Sequence, residues 1–148
     1  MKKEVPERDF EYYCSFNVAM LLKEKGFNAY CDHVWQIDDG QKPSLSIWGK
    51  EGCYYVTNNE LDSDELYEGK YIAAPTISYI NDYLRRRHFH YVTTEPYVTT
   101  EGIMYLYKVW KLDHKNLIFN KVKEVTGFDT PHEAELNGIK FIFEKIIH

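Results

Sequence analysis

No run of apolar residues in this sequence approaches the roughly 20 that a membrane-spanning helix needs. The N-terminus, Met1 to Asp9, is charged and has no apolar core of the kind a secretory signal carries, so the expected location is the cytoplasm. Cysteine is scarce. Cys14, Cys31 and Cys53 make an odd count with no CxxC pair, which argues for reduced thiols and against a structural zinc site or a disulfide framework. Cys31-Asp32-His33 between the other two cysteines is the nearest approach to a zinc pattern, and it lacks a close ligand pair at each end. Nucleophile elbows of the GxSxG type, GxGxxG turns, P-loops and HExxH helices are all absent. No catalytic residue, cofactor or metal is therefore expected.

Charge of one sign is lacking as well. The net charge is −5, and residues 32 to 68 hold nine acids and two lysines, a local −7. Residues 69 to 148 carry eleven bases against nine acids, so no broad basic face is expected and duplex nucleic acid is excluded as a first partner.

Aromatics are abundant: 16% of the 148 residues are Phe, Trp or Tyr, and 13 are Tyr. A Tyr ring with its polar tip suits half-buried sheet faces and ligand pockets better than a dry core. The length predicts one domain, residues 1–148.

Periodicity predicts three helices. Ser15 caps the first, which carries Val18, Leu21 and Leu22 on one stripe and ends at Gly26. Thr76, after Pro75, opens the second; Ile77, Ile80, Tyr83 and Leu84 recur at helical spacing up to Arg85-Arg86-Arg87. In the third, Thr130 caps, Pro131 takes the first helical position and Glu133 completes a capping box. Its buried stripe is Ile139, Ile142, Phe143 and Ile146, and Gly138 signals close approach of a neighbouring element.

Strands are expected at Ala29 to Ile37, Leu45 to Trp48, Cys53 to Thr57, Phe89 to Thr94, Met104 to Leu112 and Leu117 to Val125. Gly49-Lys50-Glu51-Gly52 and Asp113-His114-Lys115-Asn116 read as hairpin turns. Asn58 to Lys70 reads as an acidic mobile loop. The order is α-βββ-α-βββ-α, an α+β fold with an antiparallel sheet and helices mainly on one face.

The constellation that points to binding is Arg85-Arg86-Arg87-His88-Phe89-His90-Tyr91, where a helix passes into a strand. Arginine grips phosphates and carboxylates with a planar fork. Alternation on the Met104–Trp110 strand puts Tyr105, Tyr107 and Val109 on one face and Met104, Leu106 and Trp110 on the other. Rings that stack a base beside cations that hold its phosphates suit a nucleotide-like ligand. The candidate ligand residues are Arg85 and Arg87 for negative charge, His90 as a hydrogen-bond donor, and Tyr105 and Tyr107 for stacking. A Tyr-rich sheet face equally suits packing or a homodimer interface. His88 and His90 form an HxH pair without an acidic partner at a telling distance.

Several stretches together carry a resemblance. They are Tyr13-Cys14-Ser15 leading into Val18-Ala19-Met20-Leu21-Leu22-Lys23-Glu24-Lys25-Gly26-Phe27, then Ala74-Pro75-Thr76, Tyr83-Leu84-Arg85, and Phe128-Asp129-Thr130-Pro131-His132-Glu133-Ala134-Glu135 with Gly138-Ile139-Lys140. Over nearly its whole length the chain resembles a family of small proteins of gut bacteria, their prophages and their phages that has no assigned activity. The resemblance implies a phage or prophage context and transfers no catalytic residue. Small phage proteins without catalytic motifs act by binding, whether by blocking host proteins or by sequestering nucleotide signals of host defence. The leading expectation is a non-enzymatic protein, as a homodimer, that sequesters a small anionic, nucleotide-derived ligand. The alternatives are a protein-interaction module that uses a sheet edge or the acidic segment from Asp32 to Glu68, and a hydrolase or lyase.

Overall fold

In the computed structural model the described residues are 3–4, 12–49 and 54–147. The class is α+β. The chain divides into two compact units at Thr76/Ile77, with a four-stranded sheet in the first and a three-stranded sheet in the second.

The first unit contains β1 (Lys3–Glu4), α1 (Phe16–Glu24), β2 (His33–Gln36), β3 (Ser44–Ile47), α2 (Asn58–Asp62) and β4 (Tyr71–Ala73). Its sheet is antiparallel, in the order β1-β3-β2-β4. The Ser15 hydroxyl caps α1 by accepting from the Val18 amide. At the other end Gly26, at φ +85°, lets Phe27 N–H reach Leu22 O and Gly26 N–H reach Lys23 O. These paired bonds close a Schellman motif, and Leu22 and Phe27 are both buried there.

Two expectations change in this unit. Cys53 and the turn residues Lys50 to Gly52 lie outside the described residues, and Val56 makes only an isolated bridge to Cys31. Asn58 to Asp62 is helix, not loop. Thr57 caps the helix: its hydroxyl accepts from the Glu60 amide at 3.2 Å and donates to the Glu60 carboxylate at 3.2 Å. Asn58 is buried and fastens α2, donating to Phe27 O and accepting from Ala73 N–H. Those bonds bring β4 alongside β2 and give the sheet a strand at 71–73. Val34, Val56 and Leu61 form a core beneath Trp48, Tyr67 and Tyr71, whose rings meet edge-on at 5.1 to 5.7 Å.

The second unit contains α3 (Ile77–His88), β5 (His90–Thr99), β6 (Gly102–Asp113), β7 (Ile118–Phe128) and α4 (Pro131–Lys145). The sheet runs β5-β6-β7, all antiparallel. Thr130 caps α4 by accepting from the Glu133 amide, and Ile139, Ile142 and Phe143 are buried as the stripe requires. Gly138 is where α4 meets the sheet. A Cβ there would lie 2.6 Å from Val92 Cγ1 and 3.0 Å from the Tyr107 ring. α4 therefore closes on the face that carries Val92, Tyr107 and Val109, all buried.

β7 holds one more residue than β6 at each of two register shifts, opposite Tyr105–Tyr107 and opposite Val109–Trp110. The second shift turns Lys121 onto the same face as Trp110, directly across from it. Phe89, at φ +58°, makes the corner from α3 into β5.

Candidate functional site

The five residues singled out from the sequence do not form one constellation. Arg85 and Arg86 share Asp82: Arg85 Nη2 donates to one carboxylate oxygen and Arg86 Nε to the other at 2.7 Å. Burial pushes the Asp82 pKa up, but the bonds from Arg86 and Arg85 prevail and hold it below the carboxylate range. Arg87 is exposed and has no ion-pair partner among the described residues. His90 is 7% exposed, and its Nδ1 donates to His88 O at 2.6 Å. Tyr105 is half-buried, while Tyr107 is buried beneath Gly138. Burial also raises the Tyr107 hydroxyl pKa and keeps it a neutral phenol. Among the described residues no hydrogen bond or ion pair joins an arginine to either tyrosine. The alternation on β6 is as read, but Tyr107 lies on the side that α4 covers.

The other face of this sheet carries a different set of rings. Tyr91, Trp110 and Phe119 come from three adjacent strands and are each half-buried. Tyr91 and Trp110 lie near-parallel, at 6.2 Å and 15°, and Phe119 meets Tyr91 edge-on at 4.8 Å. Trp110 Nε1 donates to Thr93 Oγ1 at 2.8 Å, which fixes the indole. Beside the rings runs a ladder of charges. Lys108 pairs with Glu95 at 2.8 Å and Glu124 at 3.9 Å, and Lys121 pairs with Glu124 at 3.2 Å. The Lys121–Glu124 pair is solvent-exposed on both sides and so contributes little to stability. Past the rings, Phe89 meets the His114 ring at 4.6 Å. Burial, with His90 and Arg87 adding to it, pushes the His88 pKa down.

Tyr91 ends the Arg85–Tyr91 stretch noted in the sequence, but neither it nor Trp110 was among the candidate ligand residues, and Phe119 was not singled out. The alternation already placed Trp110 opposite Tyr107. The signal that decides which face stays open is Gly138, since a helix can approach closely only where its own side chains are absent.

In the first unit, Asp32 Oδ1 accepts from Tyr13 OH at 3.0 Å and lies 2.9 Å from His33 Nδ1. The Tyr13 ring stacks on His33 at 3.8 Å. His33 is buried, and its Nε2 has no hydrogen-bond partner among the described residues. Cys14 and Cys31 are buried, and burial raises both thiol pKa values, so neither is a ready thiolate nucleophile. Among the described residues no cluster of three or more His, Cys, Asp or Glu side chains could hold a metal. A shallow depression at the end of α2 is lined by Glu60, Asp64 and Glu65, which suits no anion. No helix among the described residues is long and apolar enough to cross a membrane.

No protein-family model matches the chain, and no curated protein or solved structure matches it either.

Proposed function

We propose that this chain is a non-enzymatic binding protein that sequesters a small anionic ligand bearing a planar ring, with nucleotide-derived molecules the leading class. The recognition surface is the open face of the second unit. The observation that carries this reading is the cluster Tyr91, Trp110 and Phe119, half-exposed on the face opposite α4. Rings held by their own strands and by the Thr93 bond stack a ligand at small entropic cost, and such stacking contributes about 1–3 kcal/mol per base. Lys121 sits directly across from Trp110. It can exchange its exposed Glu124 contact for a ligand phosphate, because little stability is lost when that pair opens. Arg87, with no ion-pair partner among the described residues, is a second cation within the same unit. The phage-context resemblance favours capture over turnover.

The test is a thermal-shift panel of nucleotides and cyclic nucleotides on wild type, Trp110→Ala and Lys121→Ala. Stabilisation of wild type that is lost in Trp110→Ala and weakened in Lys121→Ala supports the reading. Stabilisation that survives Trp110→Ala places the ligand elsewhere, and no stabilisation by any of the panel refutes it.

A further inference from the structure

The outer edges of the three-stranded sheet are blunted in different ways, except at one place. On the free side of β5, the Asn81 side chain takes both backbone groups of Val92, accepting from its N–H at 2.8 Å and donating to its C=O at 2.7 Å. Further along β5, Pro96 has no N–H to offer an added strand. β7 is interrupted by two register shifts, the one near Phe128 accompanied by Gly127 at φ +100°, and it carries Lys121 and Lys123. Bulges, prolines and lysines are the devices that keep sheet edges from pairing.

The exception is the end of β6. Pairing with β7 stops at Tyr105↔Phe128, whereas pairing with β5 continues to Thr99↔Gly102. Gly102, Ile103 and Met104 thus belong to a two-stranded arm and, among the described residues, have no strand on their second side. The arm carries exposed β-branched side chains: Val98 is 84% exposed and Ile103, directly opposite it, 61%. A two-stranded ribbon is marginal in water and gains from further strands.

We propose that this edge joins two copies of the chain, the Gly102–Met104 segments pairing antiparallel about a two-fold axis through Ile103. Gly102 then faces Met104 of the second copy, and the short sheet becomes four-stranded at the arm. Val98, Ile103 and the same two residues of the second copy form one uninterrupted apolar row. No charged side chain lies in the paired segment, which ends at Met104 because the second side of Tyr105 is taken by Phe128, so no like charges meet within it. The two-fold makes the interface self-complementary and closed. Its small extent makes the dimer concentration-dependent, as interfaces below the standard size are. The inference is independent of the ligand reading, since the rings Tyr91, Trp110 and Phe119 lie at the opposite end of the sheet.

The experiment is sedimentation equilibrium of the full chain without nucleotide, on wild type, Ile103→Lys and Val122→Lys. Val122 is half-exposed on bulged β7 and reports a generic charge effect. The expected result is a monomer–dimer equilibrium in wild type and Val122→Lys, and monomer alone in Ile103→Lys with an unchanged far-UV spectrum. Wild type that stays monomeric up to about 1 mM overturns the proposal. So does a dimer that survives Ile103→Lys, or one that Val122→Lys dissolves equally.

Discussion

Gly138→Ala isolates the contact that decides which face of the sheet is open. The added methyl would sit 2.6 Å from Val92 Cγ1 and 3.0 Å from the Tyr107 ring. Ordinary carbon contacts are about 3.5–4.0 Å, so one partner has to move by about 1 Å. Val92 is buried and β-branched, with a stiff χ1, and Tyr107 is buried beside it. Overpacking of this kind costs about 1–3 kcal/mol. Replacing a mid-helix glycine by alanine returns about 1 kcal/mol of propensity. The net expectation is a loss of about 1 kcal/mol in urea unfolding followed by far-UV circular dichroism. In a Val92→Ala background the clash is relieved, and Gly138→Ala should become neutral or stabilising by up to about 1 kcal/mol. If Gly138→Ala stabilises wild type, or acts equally in both backgrounds, α4 does not close on Val92 and Tyr107 and the assignment of the faces fails.

Thr130→Ala should cost about 1 kcal/mol, because the Glu133 amide loses its acceptor, and Ile142→Ala about 2–5 kcal/mol; a reversed order in chemical denaturation would contradict the placement of α4. Burial raises the Glu135 pKa, so the folded chain holds that proton more tightly than the unfolded chain, and stability falls as pH rises from the ordinary carboxylate range through the raised value. Glu135→Gln should therefore raise the melting temperature at neutral pH and have little effect in acid below the unfolded-state pKa; equal effects at both would refute the burial argument. Treatment with EDTA should leave the melting temperature unchanged, since among the described residues no side-chain cluster could hold a metal; a marked drop would refute this and direct attention to Cys31, His33 and Cys53.

Helix ends were the most legible part of the sequence, because a cap is a local chemical event. Ser15, Gly26 and Thr130 act in the structure as their residue types dictate. Thr57-Asn58-Asn59-Glu60 carries the same kind of signal, yet the acidic composition of 58–70 obscured it. A five-residue helix has too few turns to show periodicity, and its stability comes from the buried Asn58, a contact between segments 31 and 15 residues apart in the chain. β4 was hidden for the same reason: three residues become a strand only because β2 lies beside them.

For the site, alternation on β6 sorted the side chains correctly into two sets, and what remained open was which set the helices cover. The tyrosines at 105 and 107 invited a functional reading, but the glycine at 138 brings α4 onto Tyr107. Arg85 illustrates a second limit. Its partner Asp82 is three residues away on the same helix, and a cation consumed by its own helix has less to offer a ligand.

The claim that matters most is that the open face of the second unit recognises a ring-bearing anion. Its most direct measurement is a nitrogen–proton correlation spectrum of the labelled chain, titrated with the nucleotide that stabilises it most. The account predicts saturable shifts of the Trp110 indole N–H and of the Tyr91, Phe119 and Lys121 amides, while the Trp35 and Trp48 indoles stay still. Shifts centred on Trp35 or Trp48, or on the Tyr105–Tyr107 amides without Trp110, would contradict it.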